Sequence, residues 1–418
     1  MKICLFGGPV FDGERLHEQG AVIFDETGIL EVRSSGTIPT EKVHSIDVRG
    51  ALILPGLVDL HSDVLEKCIE MRPGVDFDPG FAMEALDRRL AACGISTFCH
   101  AVSFADNELG LRSPHKAAET VRRIKAFSAS GEASVRHLVH ARFEVGSEKA
   151  RAIFEELLEC GYVDVASIMD HTPGQGQFRT YEAYHRYYAG TYKLTSSQTA
   201  AMAASKIHRR DRAWHDVLQL TETIRRCGVP LLSHDDDNRE KVSLVHSLGA
   251  VGCEFPISLD AAEEARRRNM AVLMGAPNVV RGSSSNNNLS ARKAVSQGLT
   301  DILVSDYYPE CLIQAPFILA HLGCIPLESA LTHVTSNPAR LLKHFDVFGA
   351  LKPGFSADLA VVNIASPWVR PSQLWVGGRL VYESRPSSHG CLWRQDTSQK
   401  NVIIQDKESS SWRMQPLF

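Results

Sequence analysis

Eight short apolar runs alternate with amphipathic stretches through the middle of this chain, and no other feature restricts its fold as much. The runs are "LVDLHSD" at Leu57, "ISTFCHAVSF" at Ile95, "RHLVHARFEV" at Arg136, "VDVASIMDH" at Val163, "VPLLSHDD" at Val229, "AVGCEF" at Ala250, "MAVLMGAPN" at Met270 and "DILVSDYYP" at Asp301. Each has the length and apolar content of a buried strand. Stretches such as "DRAWHDVLQLTETIRRCG" from Asp211 read as crossover helices, here with Leu218, Thr221 and Ile224 as its apolar positions. Parallel strands need such crossovers, and eight of these units favour a closed (β/α)8 TIM barrel over an open sheet. No G-x-G-x-x-G follows the first run, which speaks against a dinucleotide-binding fold.

The runs stay apolar until their ends, where metal-ligand types gather. The first ends in His61 and Asp63, the third in Glu144, and the fourth in Asp170 and His171. The fifth ends in His234 followed by Asp235, Asp236 and Asp237, and the eighth in Asp306. In a barrel, strand C-termini converge on one rim however far apart they lie in sequence. Histidines and carboxylates from several strands suit a divalent transition metal. His61 and Asp63 stand two apart, so on an extended strand they share a face and one ion can take both. His100 and His140 lie inside their strands and read as structural. Asp236 and Asp237 read as a solvated loop.

Composition narrows the class. A net charge of −4 on 418 residues offers no electrostatic footprint for nucleic acid or an anionic membrane. No run of 18 apolar residues is present to cross a bilayer. Ten scattered cysteines without a C-x-x-C pair read as free thiols, and with no signal-like N-terminus the chain is expected in the cytoplasm. Both ends are β-rich, at residues 1–53 and 348–390. They are expected to pair into a small β-sandwich flanking a barrel over 54–347, with a Ser- and Gln-rich tail over 391–418. The expected partner is a small-molecule substrate, and a homo-oligomer is left open.

These motifs carry a resemblance. "LPGLVDLHSD" and "LKPGFSADLAVV" resemble the amidohydrolase superfamily. "DLHSDVLEK", "RPGVDF", "SIMDHTPGQGQF", "LLSHDDD", "VLMGAPNVVRG" and "DILVSDYYP" resemble, within it, the phosphonate-metabolism diphosphatases, from about Leu54 to Asp358. That family releases diphosphate from a ribose 1-phosphonate 5-triphosphate. The resemblance implies one or two divalent metals per chain, zinc first and manganese or iron next. It makes His61 and Asp63 the opening ligand pair, Glu144 a bridging carboxylate, His171 and His234 the later ligands, and Asp306 the metal-touching proton shuttle. Arg281, Arg72, Lys67, Asn278 and Gln175 become candidates for holding substrate.

Two positions depart from the family pattern. Gly176 stands where the family has Arg, and Ser285, in a run from Ser283 to Asn288, stands where it has His. Fewer cations suit a less charged ligand than a triphosphate. Three readings therefore stay open: a diphosphatase, a hydrolase of an amide or related C–N bond, and a barrel that binds without catalysis. For the first, the departures predict weaker use of the triphosphate, with Lys193 and Arg179 as compensating cations.

Overall fold

All eight expected barrel strands form, at Leu57–Ser62, Ile95–Phe104, Arg136–Glu144, Val165–Met169, Leu231–His234, Gly252–Glu254, Ala271–Gly275 and Ile302–Val304. The computed structural model describes residues 1–35, 43–72, 74–106, 110–174, 180–192, 194–284, 288–364, 368–384, 401–405 and 412–416. Successive strands pair in parallel and in chain order, and a parallel bridge between Ser62 and Asp306 joins the last to the first. The sheet is thus a nearly closed barrel wrapped by helices, as the alternation of runs predicts.

Side-chain alternation divides the barrel into an apolar floor and a polar rim. Val58, Leu60, Cys99, Val165, Leu232, Leu273, Ile302 and Val304 form one interior cluster, closed from below by Ala339, Leu342 and Phe348. The intervening residues, such as Val139, Ala141 and Phe143, face outward into the helix-covered core. On the third strand Leu138 packs against the interior cluster. The period of two then points His140, Arg142 and Glu144 the same way. In the first strand the pairing slips between Asp59 and Ser62, a bulge that re-aims the side chains near its end.

The crossover before the fifth strand differs from its expected register. The helix runs Ser196–Arg226, opened by a Thr195–Gln198 capping box. Its buried stripe is Ala213, Val217, Leu220, Thr221 and Ile224, while Leu218 is 44% exposed. Leu218 was an apolar residue on the polar side of the stripe.

The two ends of the chain meet in one eight-stranded sheet, where Leu359–Asn363 pairs antiparallel with Leu52–Pro55. Phe24 and Trp375 belong to strands with three others between them, yet their rings touch at 5.1 Å. The sheet therefore folds over a core of its own that includes Leu5, Val10, Val22, Ile53 and Leu359. In the tail, Asn401–Gln405 pairs antiparallel with Trp412–Pro416. No helix among the described residues is long and apolar enough to cross a membrane.

His100, read as structural from the sequence, does face out of the barrel. Its Nε2 lies 2.9 Å from His137 Nδ1, and His137 Nε2 lies 3.0 Å from Asp87 Oδ1. Asp87, on the helix Pro79–Ala92, also accepts the backbone N–H groups of Ser134 and Val135 at the start of the third strand. Burial acts to raise the Asp87 carboxyl, but its hydrogen bonds from His137, Ser134 and Val135 outweigh that and hold it below the ordinary range. A depressed carboxyl stabilises the fold above its ordinary pKa and loses that contribution as the pH falls through the folded value. Asp87→Ala should therefore cost about 3 kcal/mol at neutral pH. The gap between wild type and Asp87→Asn should narrow below about pH 4. Denaturant melts at pH 7 and pH 3 check this, and an equal gap at both would contradict it.

Candidate active site

Three strand ends share an unusual backbone solution. Asp235, Phe255 and Asp306 follow the fifth, sixth and eighth strands with positive φ angles of 56°, 51° and 59°. Each donates its N–H sideways to the next strand: Asp235 to Glu254 O at 3.0 Å, Phe255 to Leu273 O at 2.9 Å and Asp306 to His61 O at 2.9 Å. A left-handed non-glycine residue costs about 1–3 kcal/mol, and such strain collects at functional sites. The chain leaves each strand by turning across the rim.

The side chains at this rim form two ligand groups. His61, His140 and Glu254 bring one donor atom each within 4.8 Å of one another, and so do His171, His234 and Asp235. Glu254 is fully buried and joins the two groups. Its Oε1 lies 2.9 Å from His61 Nδ1 and 3.7 Å from His140 Nδ1, and its Oε2 lies 3.3 Å from His234 Nδ1. Burial acts to raise the Glu254 carboxyl, yet His140, His61 and the bond from His234 hold it well below the ordinary range. The His61 and His234 rings stack at 5.4 Å, and Phe255 closes on both edge-on.

Of the expected ligands, His61, His171 and His234 enter these groups. Asp63, Glu144 and Asp306 lie at the same rim in other company. The strand ends at Ser62, and Asp63 caps the helix Val64–Ile69 instead of sharing an extended face with His61. One Asp63 oxygen is 3.5 Å from Arg112, and the other is buried without a partner among the described residues. Glu144, expected to bridge, receives His171 Nδ1 at 2.8 Å and Lys206 Nζ at 2.8 Å. These two outweigh burial and hold its carboxyl far down. Burial pushes both Asp235 and Asp306 up to about 6.

Several residues depart from their sequence reading. His140, read as structural, joins one of the two groups: its Nδ1 lies 2.9 Å from Leu60 O, and its buried Nε2 has no partner among the described residues. The alternation of "HLVHARFE" already put it on the face of Glu144. Glu254 closes a strand of only three residues, which hid it among plainer apolar runs. Asp236 is not in a solvated loop. It is fully buried, bonded to Ser233 and, at 3.1 Å, to Cys253. Arg142 and Lys206 also reach the site unforeseen, with Arg142 Nη2 2.8 Å from His234 Nε2.

Among the substrate candidates, Asn278 and Arg281 lie on the short helix after the seventh strand. A Cβ on Gly275 would meet Asn278 Nδ2 at 3.6 Å and Asp306 Oδ2 at 3.7 Å, so both side chains border the space over Gly275. Arg281 reaches the Tyr307 hydroxyl at 3.4 Å. Lys67 and Arg72 are exposed in the segment after the first strand. Gln175, Gly176, Arg179, Lys193, Ser285, Asn286 and Asn287 lie outside the described residues.

Comparison with known proteins agrees with this geometry. Residues 52–381 match the amidohydrolase family. The chain belongs to that family. It is 34% identical over 356 residues to the alpha-D-ribose 1-methylphosphonate 5-triphosphate diphosphatase of Escherichia coli (strain K12), covering 84% of this chain and 94% of that one. Among solved structures it resembles a Xaa-Pro dipeptidase with bound methionine, with a TM-score of 0.64 and 14% identity over 92% of this chain and all of that one. It also resembles N-acetyl-D-glucosamine-6-phosphate deacetylase from Mycobacterium smegmatis, with a TM-score of 0.59 and 16% identity over 91% of this chain and all of that one. At such identities these structures speak for the fold alone. As a member of this family the chain is a hydrolase.

The donor set suits a divalent metal: buried imidazoles, a shared carboxylate and an imidazole nitrogen left over at His140. Removing a ligand or the group that orients it typically costs 10–100-fold in metal affinity. His140→Ala and Glu254→Gln should therefore each lower bound metal per chain, whereas His100→Asn, which alters the outer face, should keep it. Elemental analysis after dialysis decides this, and full metal content in both rim variants would remove the assignment.

Proposed function

We propose that the enzyme hydrolyses a phosphoanhydride bond in a triphosphorylated ribose phosphonate or a close relative, releasing diphosphate. The reading is carried by a buried ligand set at the barrel rim in a chain 34% identical to a diphosphatase over most of both lengths. His61, His140 and Glu254 would hold one divalent ion, and His171, His234 and Asp235 a second, zinc being the first choice for such donors. An ion there supplies Lewis acidity and makes water more acidic.

The chain's own groups do the rest. Asp306 stands at the rim with its carboxyl raised to about 6, near the range that suits a group exchanging protons at neutral pH. It takes a proton from the water whose oxygen attacks the α-phosphorus. The bridging oxygen leaves with the diphosphate, to which Asp306 can return the proton. Asn278 and Arg281, both on the short helix after the seventh strand, would hold phosphoryl or sugar oxygens. His171 is oriented by Glu144, which fixes which nitrogen faces the site.

A second reading, hydrolysis of an amide or related C–N bond, is favoured by Gly176 and Ser285, where the resembling family has cations. Arg142, buried, and Lys206, half-buried, supply positive charge from other positions, which supports the first reading. The metal-replete enzyme should therefore release diphosphate from the ribose phosphonate triphosphate with kcat/KM above about 10⁴ M⁻¹s⁻¹. Asp306→Asn should lower kcat by about 10²–10⁴-fold. Turnover of amides with none of the triphosphate would overturn the proposal.

A further inference from the structure

The crossover between the fourth and fifth strands does more than cover the barrel. Its second helix is 31 residues long, about 46 Å, whereas the first barrel strand of six residues rises only about 20 Å. The C-terminal half packs on the barrel through Ala213, Val217, Leu220 and Ile224. The N-terminal half packs elsewhere, with Tyr184 and Tyr188 of the helix Tyr181–Tyr192 around Ala203, in a small core of its own. Lys206 lies twenty residues before Arg226, on the part of the helix beyond the barrel-packed stripe. It reaches Glu144 at the rim with a side chain only 11% exposed, its Nζ also 5.8 Å from the Tyr188 ring.

A second cation approaches from the barrel itself. Arg142 is 6% exposed, two residues before Glu144 on the inward face of the third strand. Its Nη2 donates to His234 Nε2 at 2.8 Å, its Nη1 lies 3.5 Å from Ser103 Oγ, and its buried Nε has no partner among the described residues. A guanidinium kept from water normally sits in a carboxylate or phosphate fork. Here its closest contact is an imidazole, a weak partner for a full charge. Lys206 and Arg142 thus reach the rim from two sides, Lys206 from the helical insertion onto Glu144 and Arg142 from the barrel onto His234.

We infer that Lys206 and Arg142 form the receptor for the diphosphate end of the substrate, doing the work of the cations missing at Gly176 and Ser285. The inference rests on the diphosphatase reading. Two poorly hydrated cations at one rim suit a chain of adjacent phosphates, so they favour polyphosphorylated ligands over a neutral amide. Because Lys206 comes from the insertion, the receptor is complete only when that helix pair is docked on the rim.

The test uses inorganic pyrophosphate as probe and metal-replete full-length protein, with calorimetry for binding and steady-state kinetics on the triphosphate. Lys206→Met should weaken pyrophosphate binding by about 10- to 100-fold, the range for one charge-assisted bond, and raise KM in parallel with a smaller change in kcat. Lys206→Arg should recover most of both. Arg142→Met should shift binding the same way if it folds, and Lys206 keeps the test decisive if it does not. Metal content and melting temperature accompany each variant. Pyrophosphate binding and KM in Lys206→Met within threefold of wild type would overturn the receptor while leaving the diphosphatase intact. A wild type that binds no pyrophosphate and cleaves no triphosphate would overturn both.

Discussion

The seam where the last barrel strand meets the first is the constraint on which the site depends. Asp59, fully buried, accepts Ser305 N–H at 3.1 Å and His61 N–H at 3.3 Å. Asp306 then donates to His61 O, and Asp63 donates to Asp306 O at 2.8 Å. These bonds hold His61, Asp63 and Asp306 together although more than 240 residues separate the first from the last. Asp306 makes its bond in a left-handed conformation, so the closure of the barrel and a strained backbone coincide at this residue. A barrel left open at this seam would keep its helices and lose its active site.

The rim inside that frame has an electrostatic imbalance that explains its expected cargo. Glu254 serves three histidines and Glu144 serves His171 and Lys206, whereas among the described residues the half-buried Asp235 meets only His234, at 3.7 Å, and the half-buried Asp306 forms no ion pair. Burying carboxylates without compensation is costly, which is why both are pushed toward protonation in the protein alone. A divalent ion held there would supply the missing charge. The apolar floor below, from Val58 to Val304, excludes water from the other side and strengthens each of these interactions.

Much of this was legible in the sequence, and the limits have physical causes. The eight strands could be read because each is an unbroken apolar run in a barrel covered on its outer side, and because their ends change character abruptly at His61, His171, His234 and Asp306. His140 was read as structural because a histidine within an apolar strand usually is, and the same reasoning was applied to His100. Only strand register separates the two, since His140 shares the inward face with Glu144 and His100 faces Asp87 through His137. Glu254 belongs to a strand too short to mark its last residue as special. Lys206 could not be read at all, because its contact with Glu144 depends on how a long helix packs beside the third strand. Asp63 shows the same limit: its spacing from His61 assumed an extended strand, but the strand ends at Ser62 and Asp63 opens the following helix.

Anomalous diffraction at the metal edge, on crystals of the metal-replete enzyme, addresses the central claim most directly. The account predicts a peak at the C-terminal rim within about 2.0–2.2 Å of imidazole nitrogens of the His61, His140 and Glu254 group, the His171, His234 and Asp235 group, or both. A metal-replete crystal with no peak at either group, or with its metal on the outer face or the floor of the barrel, would contradict it.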